Sequence, residues 1–445
     1  MEYNKGKETD TPMDNTISEV LSFVEENDVK FIRLTFCDLF GVHKNISIMP
    51  GELQRAFTSG VHFEQGMVDG YKEAEDPLFL VPDAGTVSIL PWRPSQGRVI
   101  RFFCDVRHAD GTPYEGCARS ILKREIARAA QFGLSCRIGT ECEFYLFKND
   151  ENGEPTMEPH DHASYADIAP LDRGENVRRE ICLALEEMGF NPETSHHEAG
   201  PGQNEVDFHC SDALSAADNL LAFRAAVKAI ANKNGLFASF MPKPFPDFSG
   251  SGMHINFSLT RGGKNIIHAC DGMHDATSES FIEGVLTHID EITAFFNPLT
   301  NSYSRFGAFD APRRVGWSKR CNDSQLIRVP LALGDQARIE LRSPDACCNP
   351  YLAFALLIEA GLEGVEKGMP LRPPVDGNEP DTDEADHLPD TLDEALEKAL
   401  SSELVRRVIP ERTLESYYAA KQRECAACAA GNAQAFEHSH YFPFY

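Results

Sequence analysis

No stretch of the 445-residue chain approaches the roughly 20 consecutive apolar residues of a bilayer-spanning helix, so a membrane-embedded protein is not expected. The N-terminus, MEYNKGKETDTPMDN, lacks a basic start followed by an apolar stretch and does not read as a signal peptide. Basic residues are in short supply: 42 Lys and Arg stand against 69 Asp and Glu, for a formal net charge of −27. Such a surface repels nucleic-acid phosphates and anionic membranes, which excludes both as expected partners, although a few arginines in a cleft still suit a local anion. No internal repeat is present. Only one CxxC occurs, at Cys425 and Cys428, with no second pair to complete a zinc site. The 13 cysteines are odd in number and scattered from Cys37 to Cys428, which fits free thiols in a reducing compartment rather than a disulfide framework. A cytoplasmic location is therefore expected.

What is present is ordinary globular composition, 42% hydrophobic and 25% charged, in a chain long enough for more than one domain. Helical spacing of apolar residues predicts a first helix from Ile17 to about Glu26. KFIRLTFCDLFGVHKNISI then alternates around a Phe-Gly turn and reads as a β-hairpin. Further short strands follow, so residues 17–110 are expected to form a small, mostly β domain. Residues 111–445 mix amphipathic helices, several stopped by Gly, with strands such as CRIGTECEFYLF and GMHINFSL. The fold class is α+β, and residues 371–390, rich in Pro and acidic groups, read as an exposed loop.

The strands carry an unusual set of carboxylates. Glu141 and Glu143 are two apart on a predicted strand, so both project from one face while Cys142 and Phe144 point to the core. Two like charges side by side repel unless a cation lies between them. Taken alone the pair reads first as two solvated glutamates on an exposed strand face. HHEAGPGQNEVDF adds Glu198 and Glu205, folded together by a Gly-Pro-Gly turn, with Gln203 and Asn204 placed to orient them. His254 lies on a strand after a Gly-rich turn, and Glu340 and Arg342 share one strand face. Five glutamates and one histidine, read as lying at strand ends or tight turns, make a coherent set for two hard divalent cations, Mg²⁺ or Mn²⁺. Arg305, Arg328, Arg338 and Arg342 crowd one C-terminal stretch, where guanidinium forks suit carboxylates and phosphates.

ECEFYLF, SHHEAGPGQNEVDF, MPKPF…GSGMHINFSL, NSYSRF and RIELRSPDACCNPYLAF resemble, in order, the motifs of bacterial type I glutamine synthetases. The resemblance implies a β-grasp-like N-terminal domain and a catalytic domain built on a curved antiparallel sheet. It also implies a dodecamer of two six-membered rings with active sites between neighbouring subunits. By position, Glu143, Glu198 and Glu205 match one metal site, and Glu141, His254 and Glu340 the other. Gly250, Arg305 and Arg342 match glutamate-binding positions; Ser258, Arg328 and Arg338 match nucleotide or phosphate contacts. The implied reaction uses ATP to make γ-glutamyl phosphate from glutamate, from which ammonia displaces phosphate.

The amine end departs from the family. Glu64 stands where the family has an ammonium-side Asp, Gly66 and Met67 replace two serines, and Asp310 on a shortened flap replaces the family's Glu. Asp323 replaces an arginine that touches the transferring phosphoryl group, with Lys319 or Arg320 nearby to substitute. Three readings follow: a glutamine synthetase with Glu64, Asp310 and Arg305 as catalytic residues, a γ-glutamyl ligase for a small amine or polyamine, and a paralogue with little catalysis. No Tyr-centred loop resembling the family's adenylylation site is present.

Overall fold

The computed structural model describes residues 17–267, 275–307, 311–319, 325–330, 337–375 and 386–445. The first helix, Ile17–Glu26, buries Val20 and Val24 against a six-stranded sheet. Its centre pairs Val29–Cys37 in parallel with Arg98–His108, and Val29–Cys37 also forms the antiparallel hairpin with His43–Ile48. Strand alternation gives this sheet two occupied faces. Ile32, Leu34, Ile100 and Phe102 fill the small domain's own core. Cys37 and Phe103 face the other way and join the core of the large domain.

Buried polar groups weld the two parts. Arg119, at the start of helix Ala118–Gln131, donates to Asp105 at 2.6 Å, to Asp83 at 2.9 Å and to Asp218 at 2.9 and 3.1 Å. Asn349 caps helix Pro350–Lys367 by accepting from the Tyr351 amide at 3.2 Å, while its Nδ2 donates to the Leu39 carbonyl of the small domain at 3.1 Å. Pro350 fits the first helical turn and Gly368, at φ +59°, ends it in the left-handed conformation.

The large domain is built on an eleven-stranded sheet among the described residues. Its order runs Trp317–Ser318, Ile327–Arg328, Ile339–Leu341, Met253–Arg261, Ser135–Asn149, Gln203–Phe208, Pro192–His197. Pairing along this path is antiparallel except between the edge strands Trp317–Ser318 and Ile327–Arg328, which run parallel. Cys142, Phe144, Val206, Ile255, Phe257, Ile339 and Leu341 turn into the core, leaving the intervening positions for the opposite face. The expected acidic loop at 371–390 is described only at 371–375 and 386–390. The expected CxxC pair lies within helix Glu411–Ala429, and all eleven cysteines among the described residues are free. Among the described residues no helix is long and apolar enough to cross a membrane.

Helices Ala276–Phe296 and Pro350–Lys367 cross so closely that a Cβ on Gly364 would lie 2.0 Å from the Ser280 carbonyl oxygen. Beside that crossing His288 Nε2 lies 3.1 Å from Glu363, which also receives Lys367 and Arg407. Burial opposes the ionised Glu363, but the Lys367 and Arg407 hydrogen bonds and the His288 charge prevail and bring its carboxyl down to about 2. A depressed carboxyl contributes stability above its unfolded value of 4.5, and that contribution fades as pH falls toward about 2. Thermal melting should therefore separate the native protein from Glu363→Gln most widely near neutrality, with the gap closing under acid. A gap independent of pH contradicts this account of the crossing.

Candidate active site

The polar face of the large sheet is assembled by register. Directly across the antiparallel pair, Glu143 faces Glu205 and Asp207 faces Glu141. On the other side of the central strand His254 faces Glu141, and Asn256 faces Glu340 one strand further on. His254 Nδ1 lies 2.9 Å from Glu141 Oε2 and 3.5 Å from Glu340 Oε1, so Glu141, His254 and Glu340 converge on one point. Glu143 Oε2 is held at 2.9 Å by both Gln203 Nε2 and the Gly252 amide. Across the Gly-Pro-Gly turn, His196 Nδ1 lies 3.2 Å from Glu198 and its Nε2 4.0 Å from Glu205.

Like charges directly opposite on paired strands destabilise a sheet. Here the cost is visible in protonation: burial first, then the Glu143 and Asp207 charges, push the Glu205 carboxyl up to about 12. Burial and the Glu198 charge raise Glu143 as well. Glu141 goes the other way. Burial opposes its charge, but hydrogen bonds from His254 and Asn256 outweigh it and bring the carboxyl to about 2. Glu340 is fully buried, and its Oε1 has no hydrogen bond among the described residues. Carboxylate oxygens crowded this way, with one imidazole, fit hard divalent cations of the Mg²⁺ or Mn²⁺ type. Glu141, Glu143, Glu205 and Glu340 sit inside strands rather than at strand ends, whereas His254 is the second residue of its strand and Glu198 lies in the turn, as expected.

Arg305 closes one end of the face. It is 1% exposed, donates to the Ser343 carbonyl at 3.1 Å and lies 3.8 Å from Asp345, while its Nε and Nη2 have no hydrogen-bond partner among the described residues. Two glycines make room for it. A Cβ on Gly250 would meet the Pro242 carbonyl oxygen at 2.5 Å and Arg305 Cγ at 2.7 Å; one on Gly252 would meet Arg305 Nη2 at 2.8 Å. Arg328 Nε donates to Glu340 at 2.6 Å and Arg342 Nε lies 3.3 Å from the same carboxylate. Arg338 Nε donates to Asn256 Oδ1 at 3.2 Å. At the opposite end a cavity of about 580 Å³ is lined by Arg137, Glu141, Asp207, Asn256, Ser258 and Arg338, among others. The structure thus gathers the six predicted metal ligands, Gly250, Ser258 and the four arginines on one side of one sheet. Glu64 is not gathered with them: it is exposed on the small domain, ahead of the turn Gln65–Met67. Asp310, Arg320 and Asp323 lie outside the described residues.

The glutamine synthetase β-grasp domain model matches residues 28–109, and the glutamine synthetase catalytic domain model matches residues 115–441. The chain belongs to the glutamine synthetase family. As a member of that family it is a ligase. Glutamine synthetases of Clostridium saccharobutylicum and Methanosarcina mazei are each 43% identical to it, covering 92% of this chain and 95% and 94% of theirs. A solved GmaS/ADP complex superposes with a TM-score of 0.84 at 29% identity, covering 95% of this chain and 99% of its own. The glutamine synthetase of Plasmodium falciparum shares the fold at TM-score 0.83 and 22% identity.

Two members of the acidic face escaped the motif reading. Asp207 is two residues beyond Glu205 on strand Gln203–Phe208, so the period-two rule that singled out Glu141 and Glu143 finds it too. Asn256, two beyond His254, donates to Glu141 Oε1 at 2.8 Å by the same rule. His197, by contrast, serves the scaffold. Its Nδ1 lies 2.6 Å from the Glu198 carbonyl oxygen and its Nε2 2.9 Å from Asp161, two acceptors that require a doubly protonated ring. Burial works against that charge, and the Asp161 hydrogen bond prevails to raise its pKa.

Proposed function

We propose that this protein is a glutamine synthetase, using ATP to activate the side-chain carboxylate of glutamate and ammonia as the acceptor. The observation that carries the reading is Arg305, a buried guanidinium with unpaired donors set against glycines beside an acidic face. Buried donors call for an acceptor, and a planar fork selects a carboxylate. Arg305 and Arg342 are assigned to the carboxylates of glutamate, with Gly250 giving close backbone approach. Ser258, Arg338 and Arg328 are assigned to ATP, in keeping with the cavity at that end and with a solved relative that holds ADP.

Glu143, Glu198 and Glu205 would hold one divalent cation, and Glu141, His254 and Glu340 the other. When bound, such ions neutralise charge on the transferring phosphoryl group. The chain's own residues do the rest. Gln203 and the Gly252 amide fix Glu143, and the arginines align a γ-carboxylate oxygen with the γ-phosphorus of ATP. The new O–P bond forms as the bond to ADP breaks. Glu64, with Asp310, takes a proton from ammonium; the nitrogen then bonds the acyl carbon, and phosphate leaves as it takes a second proton from that nitrogen. Glu64 is assigned to a neighbouring subunit's site in a homo-oligomer, a dodecamer by family likeness, which fits its exposure on the small domain. The free cysteines, eleven among the described residues, fit a cytoplasmic location.

An alkylamine acceptor is the second reading, favoured by Met67, apolar and 83% exposed three residues from Glu64. Activation itself is tested by trapping. With ATP, glutamate and hydroxylamine, γ-glutamyl hydroxamate is expected to form in step with ADP; ADP formation without hydroxamate contradicts an activated glutamyl group.

A further inference from the structure

We propose that the C-terminal helix Ala433–His440 belongs to the scaffold of the glutamate pocket, with Glu437 as the positioning residue that fixes the turn carrying Arg305. The inference rests on the assignment of Arg305 to glutamate. Arg305 ends the 3₁₀ turn Thr300–Arg305. At the start of that turn Glu437 uses both carboxylate oxygens. Its Oε1 accepts from Thr300 Oγ1 at 3.0 Å and its Oε2 from Asn301 Nδ2 at 2.8 Å. Two consecutive residues are thereby held by one side chain 137 and 136 positions away in sequence, a tertiary clamp rather than a local cap.

The same carboxylate reaches the second wall of the pocket. Asn301 exchanges two hydrogen bonds with the Lys243 backbone, from the Lys243 amide to its Oδ1 at 2.6 Å and from its Nδ2 to the Lys243 carbonyl at 3.1 Å. The Pro242 carbonyl oxygen accepts from the Ser251 amide at 2.7 Å, and a Cβ on Gly250 would lie 2.5 Å from that oxygen and 2.7 Å from Arg305 Cγ. The loop that supplies Gly250 and the turn that supplies Arg305 therefore meet at Gly250 and share an anchor in Glu437. His438 Nε2 donates to the Pro244 carbonyl at 3.1 Å, a second tie from the same helix to the same loop. Tyr441 Oη lies 3.0 Å from Thr300 Oγ1 and donates to Glu424 at 2.6 Å, linking the anchor to helix Glu411–Ala429. Glu437 is only half-buried, so its removal leaves the core intact.

Glu437→Ala frees both donors and loosens the phase of the turn four residues before Arg305. It should raise the KM for glutamate on the order of tenfold, the scale of a lost hydrogen bond to a charged group, and leave the KM for ATP unchanged. Glu437→Gln should restore near-native behaviour, because the amide oxygen accepts from Asn301 while the amide nitrogen donates to Thr300 Oγ1. A merely structural helix would lower the melting temperature and move neither constant selectively. Should Glu437→Ala fail to fold, Thr300→Val removes one donor and carries the same selective rise, at roughly threefold. A glutamate KM unchanged in Glu437→Ala, or in Thr300→Val where that variant stands in, overturns the inference, as does an equal rise in Glu437→Gln. An unchanged glutamate KM in Arg305→Lys instead overturns the underlying assignment.

Discussion

Glu143→Gln is expected to fold and to lose ATP-dependent phosphate release by on the order of a thousandfold, the equivalent of several kcal/mol of charge stabilisation. The substitution keeps side-chain size and leaves an oxygen for the Gln203 and Gly252 donors that hold Glu143 at 2.9 Å. What it removes is one of four carboxylates facing each other across a strand pair, where the proximity of Glu205 is costly without a cation. The same change should therefore weaken divalent-cation binding measured by calorimetry, while thermal stability in the absence of metal stays level or rises. Glu143→Ala adds a second defect, two unpaired donors, and should lose activity to the same degree with lower stability. Full turnover in Glu143→Gln contradicts the metal assignment.

Arg305→Lys carries the next largest effect. Lysine keeps the charge, but its single ammonium cannot reproduce the planar fork, and its shorter reach gives up the bond to the Ser343 carbonyl. A loss of one or two charged hydrogen bonds corresponds to a glutamate KM raised between roughly tenfold and a hundredfold, with the KM for ATP little changed. Because Arg305 is 1% exposed and Asp345 lies 3.8 Å away, Arg305→Ala would strand a buried carboxylate; a fall in stability there would not separate binding from folding. The lysine variant does. A glutamate KM equal to the native value contradicts the assignment.

Much of this site could be read along the chain, because period-two alternation is local. Glu141 with Glu143, and Glu340 with Arg342, required only that their segments be strands. Asp207 and Asn256 obey the same rule, two residues beyond Glu205 and His254, and are legible by it once those segments are strands. Register between distant strands is a different matter. Nothing in the sequence tells that Asp207 lies opposite Glu141, or that Arg328 lies opposite Glu340. That pairing is why Arg328, matched to a phosphate contact, is drawn onto Glu340 at 2.6 Å. Strand length was also hidden: RIELRSPDAC yields only Ile339–Leu341, since the Ser343-Pro344 step leaves the ladder and turns toward Arg305 and the Gly-rich loop. The burial of Arg305 follows from glycines at 250 and 252, whose meaning appears only once their neighbours are known.

The most direct test is phosphate release from ATP by the purified protein with Mg²⁺ or Mn²⁺, measured with and without glutamate across ammonia, methylamine, ethanolamine and a polyamine. Release is expected to require glutamate and to be fastest with ammonia, with glutamine as the product. Release that is indifferent to glutamate contradicts the ligase chemistry at this site, and an alkylamine turning over about tenfold faster than ammonia contradicts the acceptor.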